Sequence, residues 1–257
     1  MSRTSHARKL VVGATPEGAS DTQSASRSVR EMFTSIAPRY DLLNHVLSCN
    51  VDRLWWRRTA RAFTHILARP QVRVLDLCCG TGDMTFALWH EAGKSSPQIL
   101  GADFSHAMLQ RALEKSSRKN SPGIPRWIEA DALNLPFPDA HFDLVTSAFG
   151  FRNLADYDAG LREIARVLRP GGECGILDFG EPKGMIGSIY RIYFKRILPR
   201  VGTIVSGVRG PSAYLPTSVE RFPAPEEMLT RMRRAGFSEA AWIPYTFGIA
   251  GLYRGKM

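Results

Sequence analysis

No run in the 257 residues approaches the roughly 18 uncharged apolar residues that a membrane-spanning helix needs, so a helical integral membrane protein is excluded. The first residues, Met1 to Val12, are basic but lack the apolar core and cleavage site of an export signal. The expected location is therefore cytoplasmic, with peripheral contact at the inner face of the membrane left open. Cysteine is scarce, and Cys49, Cys78, Cys79 and Cys174 show no metal-ligand repeat. Cys78 and Cys79 are chain neighbours and poorly placed for a structural disulfide, so no metal and no disulfide framework are expected. No repeat of about 20–50 residues recurs, which excludes solenoids and propellers. Acidic side chains are in the minority, 24 against 34 Lys and Arg, giving a net charge of +10 and a pI near 9.8. Such a balance favours an anionic partner, whether nucleic acid, lipid surface or acidic substrate, without choosing among them.

What remains is an ordinary globular composition, 44% apolar, in a chain long enough for one sizeable α/β domain. Residues 1–26 are rich in Ser, Thr, Ala and Gly without a hydrophobic period and read as a mobile tail, leaving 27–257 as the domain. Val29, Met32, Phe33 and Ile36 recur at helical spacing up to Pro38, and a second helix is expected from Asp52 to about Leu67. Together these make an N-terminal helical layer over 27–70. Strands are then expected at Val72–Leu77, Ile99–Ala102, Trp127–Ala130, Phe142–Ala148 and Cys174–Phe179. Helices fall between them at Met84–His90, from an N-cap at Ser105 to about Ser116, and at Leu161–Leu168. A further helix, Glu226–Ala235, precedes two strands joined near Thr246–Gly248. The fold class is α/β, a Rossmann-like, mostly parallel seven-stranded sheet with helices on both faces and a C-terminal antiparallel hairpin. Residues 182–222 fit neither rhythm and are expected to form a cap over the active site.

The strongest local signal is Asp76-Leu77-Cys78-Cys79-Gly80-Thr81-Gly82, a strand running into a glycine turn. Ligands of open α/β sheets bind beside such turns, and glycine lets backbone approach them. A dinucleotide fingerprint needs a third glycine, but Thr85 stands there and the acidic Asp83 occupies the place of the phosphates. Asp103 ends the second strand, where a carboxylate accepts from both hydroxyls of a ribose. Asp131 follows the third strand beside Ala132, placed for an adenine edge, and Asp76 is placed to hold a cationic amino end. Three acids at successive strand ends suit a cationic sulfonium ligand without phosphate. Surface aspartates at turns and helix starts would account for each of them singly.

At this point the sequence resembles the menaquinone and ubiquinone biosynthesis C-methyltransferases, within the class I S-adenosylmethionine methyltransferases. The resemblance covers about residues 29–257. It rests on Tyr40-Asp41-Leu42-Leu43-Asn44, the Asp76–Thr85 turn, Gly101-Ala102-Asp103-Phe104-Ser105, Phe149-Gly150-Phe151-Arg152-Asn153 and Arg169-Pro170-Gly171-Gly172. Leu43, Asp52, Ala148 and Asp178-Phe179-Gly180 depart from the family pattern. The resemblance implies S-adenosyl-L-methionine as cofactor, bound by Asp76, Gly80, Thr81, Gly82, Asp103, Asp131 and Ala132. It implies a prenylated quinol as substrate, with Tyr40 and Asn153 orienting the ring and Arg152 stabilising its phenolate. A structural ion pair between Arg152 and an aspartate is the competing reading.

No histidine falls in these motifs, so a histidine base has little support. Nucleic acid is not an expected partner, because Ala148-Phe149-Gly150-Phe151 stands where base methyltransferases carry an Asn-Pro-Pro-Tyr type turn. RNA methylation, a non-catalytic cofactor-binding scaffold and O-methylation of soluble phenols remain as alternatives. Two segments are candidates for touching a membrane surface, Arg53–Arg58 with its paired indoles and Tyr190–Leu198.

Overall fold

Successive residues of a strand face opposite sides of the sheet, so an unbroken apolar run marks a strand covered on both faces. The computed structural model describes residues 13, 14, 16, 19–48, 50–95, 97–119, 123–182, 184, 187, 190 and 211–257. In it the first apolar run becomes β1 (Arg73–Leu77), with Leu75 and Leu77 in one core layer and Val74 in the other. Strands β2 (Gln98–Asp103), β3 (Arg126–Glu129), β4 (Phe142–Ala148) and β5 (Leu168–Phe179) join it in parallel. The hairpin of β6 (Glu239–Tyr245) and β7 (Ala250–Lys256) adds antiparallel to β5. The resulting order, β3-β2-β1-β4-β5-β7-β6, is the expected mostly parallel seven-stranded sheet.

Helices α1 (Thr22–Ile36), α2 (Tyr40–Leu47), α3 (Val51–Ala62) and α4 (Thr64–Leu67) form the N-terminal layer. The others are α5 (Asp83–Ala92), α6 (His106–Ser117), α7 (Tyr157–Val167), α8 (Pro211–Arg221) and α9 (Pro225–Arg234). One core packs residues of α7 and α9 under the sheet; the other packs α3 and α5 on its opposite face.

The expected boundaries move in four places. Helix α1 starts at Thr22, inside the stretch read as tail, because Asp21 and Ser24 close a reciprocal cap and Ala25 is fully buried. The helix expected over 52–67 breaks at Phe63, which turns into the core. Strand β5 begins at Leu168, not Cys174. The chain end clamps its Pro-Gly-Gly turn, since Gly171 donates to the Met257 carbonyl and Met257 to that of Gly172. Ser105 stands at the N-cap of α6 without capping it; its hydroxyl lies 3.2 Å from that of Thr34.

The indoles of Trp55 and Trp56 are buried, 4% and 8% exposed, and so are not the interfacial anchors expected of Arg53–Arg58. They pack where α3 lies on the sheet, and only the arginines and Leu54 face solvent. Of the expected cap, α8 packs on the Phe151–Asn153 turn. Residues 191–198 of the second candidate membrane segment lie outside the described residues.

Candidate active site

From β1 the chain winds outward through β2 and β3, then returns to β4 on the other side of β1. The crevice at the carboxyl ends of β1 and β4 is therefore the switch point at which open α/β sheets bind ligands. A narrow cleft opens there, lined by Gly80, Asp103, Asp131, Ala132, Phe149 and Asn153. Phe33 of α1 and Tyr40 of α2 cover it, their rings edge to face with centroids 6.0 Å apart. Two residues of its wall, Cys78 and Phe149, hold left-handed backbone at φ 54° and 57°. Such strain persists only where the surroundings enforce it, and it clusters at functional sites.

Asp103 ends β2 with its carboxylate fixed from behind. One oxygen accepts the Gly80 N–H at 2.8 Å and the other the Ser105 N–H at 2.9 Å. Burial pushes its carboxyl up to about 6, and those N–H groups restrain the rise. Asp131 uses one oxygen to accept the Leu133 N–H at 2.9 Å and stands exposed at the rim, with Ala132 buried beneath. Gly80 has φ +54°, and a Cβ there would point towards the Tyr40 ring. Asn153 donates weakly to the Phe149 carbonyl, while its buried Oδ1 has no hydrogen-bond partner.

Four expected site residues lie outside the cleft lining. Asp76 shares the sheet face of Val74 and so sits beneath α5. Its oxygens accept the hydroxyls of Thr85 at 2.5 Å and Thr146 at 2.8 Å, and burial pushes its carboxyl up to about 7. The Thr81 hydroxyl donates to Asp41 at 2.5 Å and accepts from Lys115 at 2.9 Å, outside the cleft. The Arg152 guanidinium turns away from the cleft to Asp178, a fully buried carboxylate 2.9 Å from its Nη1. It also donates to the Phe149 carbonyl and lies over the Phe179 ring at 5.1 Å. The ion pair, the competing reading of Arg152, is what the structure contains. Gly82, also outside the cleft lining, is required by packing: at φ +89° its Cβ would lie 2.4 Å from the Trp127 ring.

The sequence reading missed a latch. Lys115 on α6 bridges Asp41 of α2 and Asp83 of α5, each at 2.8 Å, and ties the covering layer to the glycine turn. Residues 41, 83 and 115 share no local spacing, so no sequence signal joins them.

The ubiE/COQ5 methyltransferase family model matches residues 21–256. The chain belongs to this family. It is 49% identical over 236 residues, 91% of this chain and 95% of the relative, to a protein of Deinococcus radiodurans named demethylmenaquinone methyltransferase. It is 37% identical over 228 residues, 88% of this chain and 89% of the relative, to the ubiquinone/menaquinone biosynthesis C-methyltransferase UbiE of Shewanella woodyi. A crystal structure of a SAM-dependent methyltransferase from Thermotoga maritima has the same fold. Its TM-score is 0.61 at 18% identity, over 89% of this chain and 99% of that one. This family member is an S-adenosylmethionine-dependent C-methyltransferase, and its cleft suits that cofactor. That cleft puts the carboxylates of Asp103 and Asp131 beside the Cβ-free backbone of Gly80, with no cation among its described lining residues.

Proposed function

We propose that the chain methylates a ring carbon of a prenylated quinol, either demethylmenaquinol or a demethyl benzoquinol precursor, in respiratory quinone biosynthesis. The observation that carries this reading is the mixed lining of the cleft. It sets the carboxylates of Asp103 and Asp131 among apolar and aromatic side chains. Those are Phe33, Tyr40, Leu133, Phe149 and Leu154, with the unpartnered Oδ1 of Asn153 as a further polar point.

When bound, the cofactor supplies an electrophilic methyl group on a cationic sulfur. The residues of the chain contribute alignment and exclusion of water, which in general are worth roughly 7–11 kcal/mol of barrier. Asp103, clamped by two N–H groups, holds the ribose end. Tyr40 and Phe33 close over the ring, and Asn153 Oδ1 accepts from a ring hydroxyl, raising electron density at the carbon to be methylated. A solvent molecule takes the proton, since no histidine is among the described residues that line the cleft. Arg152 is a positioning residue in this reading: it and Asn153 both donate to the Phe149 carbonyl and so fix the turn that carries Asn153. A quinol with a polyprenyl tail stays in the bilayer, so the enzyme collects it at the membrane surface.

The test supplies methyl-labelled cofactor and a reduced demethylnaphthoquinone, with a demethyl benzoquinol in parallel. The naphthoquinol comes first because the 49% identical relative bears that name. Label on a ring carbon is expected. Label on a ring oxygen would favour the O-methyltransferase reading, and label in RNA alone would overturn both.

A further inference from the structure

Helix α3 and the tip of the β6–β7 hairpin meet at the edge of the sheet where the cleft opens. Trp55 donates from Nε1 to Thr246 Oγ1 at 2.8 Å, and its ring lies 5.7 Å from that of Phe149 in the cleft wall. Next to these partners stand two exposed apolar side chains, Leu54 at 61% and Phe247 at 78%. Phe247 has φ 58°, a left-handed conformation unfavourable for an aromatic residue, at a position that water surrounds. Packing among the described residues explains neither property.

Leu54, Arg57 and Arg61 share the exposed face of α3 at i, i+3 and i+7, and Arg53, Arg57 and Arg61, recurring every fourth residue, line a groove of about 790 Å³. Arg118 and Lys119 also line it. Arg53, Arg57, Arg61 and Arg118 form no salt bridge with any described residue. The groove's acids are Asp83 and Glu91, and Lys115 already pairs with Asp83. Burial, together with the charges of Lys119 and Arg57, holds the His90 imidazole in this groove below its ordinary pKa.

We propose that this face docks on an anionic lipid bilayer, with Phe247 and Leu54 entering the interface and the arginine groove seated on the phosphate headgroups. The proposal rests on the reading of the substrate as lipid-tailed, and it names the surface that brings the cleft to the lipid. Single-stranded nucleic acid fits less well. It binds by stacking successive bases on several open aromatic faces, whereas Trp55 and Trp56 are buried and leave Phe247 as the one exposed aromatic among the described residues of this face. Apolar tips beside a cationic groove match an interface that is apolar below and anionic above.

Co-sedimentation with phosphatidylglycerol-containing vesicles tests the proposal, with pure phosphatidylcholine vesicles and an oligoribonucleotide as the other arms. Binding to the anionic vesicles is expected, weakening with salt. Changing Arg57 and Lys119 together to Glu should lower the partition coefficient by about 30-fold or more, from roughly fivefold for each cation removed. Phe247→Asn should also weaken binding, and since asparagine tolerates left-handed backbone this variant keeps its fold. Both variants should methylate a tail-less quinol at the parent rate and a vesicle-embedded quinol more slowly. A protein that methylates the tail-less quinol and ignores anionic vesicles overturns the docking face alone. One that binds vesicles and methylates neither quinol supports docking and overturns the proposed reaction. Tight RNA binding that the double variant abolishes, without vesicle binding, would assign the groove to nucleic acid.

Discussion

Replacing Arg152 with alanine leaves the Asp178 carboxylate charged and without its cation inside the protein. That carboxylate is fully buried, and the guanidinium at 2.9 Å is itself only 7% exposed. Removing one side of a buried pair costs about 3–5 kcal/mol, most of it the penalty of the stranded charge. Asp178 keeps the N–H groups of Arg152 at 3.1 Å and Phe179 at 2.9 Å, which puts the loss near the lower end, about 3 kcal/mol. For a chain of this length each kcal/mol moves Tm by about 2–4 °C, so scanning calorimetry should show a fall of about 6–12 °C. The double variant with Asp178→Asn should lose less than Arg152→Ala alone, because an amide leaves no charge to strand. Turnover by the folded Arg152→Ala variant, measured well below its Tm, should fall only through loosening of the Phe149–Asn153 turn. An unchanged Tm with turnover down by about 10²–10³-fold would refute this reasoning and return the guanidinium to the ring.

Asp103→Ala should weaken cofactor binding in calorimetric titration, by about 1.5–3 kcal/mol for each charge-assisted bond lost; unchanged affinity would remove Asp103 from the ribose. Asp76→Asn should leave cofactor affinity intact but change how stability depends on pH. The folded carboxyl, near 7 against the usual 3.8, holds a proton that the unfolded chain has released. Stability therefore declines as pH rises from about 4 to about 7, by up to about 4 kcal/mol in total. Urea titrations of the variant should show a shallower decline, and an unaltered slope would mean that Asp76 is not the titrating group. Gly82→Ala should destabilise by about 1–3 kcal/mol, since the added carbon meets the Trp127 ring in left-handed backbone; a thermal midpoint equal to the parent's would contradict that packing.

The sheet was legible because its strands are apolar runs between turn residues, and Phe142–Ala148 emerges with the bounds read from sequence. The hairpin turn at Thr246–Gly248 was equally plain. Less legible was anything set by a distant partner. The start of β5 depends on Met257, and the early start of α1 depends on a two-residue cap with no apolar period behind it. In the site, position along the chain was enough to bring Asp103, Asp131 and Gly80 to the cleft, since a residue following a parallel strand lies at the carboxyl edge of the sheet. Direction was harder. Asp76 also lies near that edge, but pleat alternation turns it under α5.

The groups divide by whether the protein already satisfies them. Asp76, Thr81 and Arg152 each have close partners within the chain, although the buried Nε of Arg152 has none, and those partners hold the turns that carry the cleft. Asn153 is different. An amide oxygen buried without a donor costs about 1–3 kcal/mol in the folded state, a cost that a donor on a bound ligand would relieve. No described residue of the cleft donates to it, and the Phe149 carbonyl, which accepts from its Nδ2, has no proton to give. A hydroxyl on a flat ring has one. We propose that Asn153 accepts from a donor that the substrate brings. Its place in a cleft also lined by Phe33, Tyr40 and Phe149 suits a donor carried on an otherwise apolar, planar body, as in a quinol.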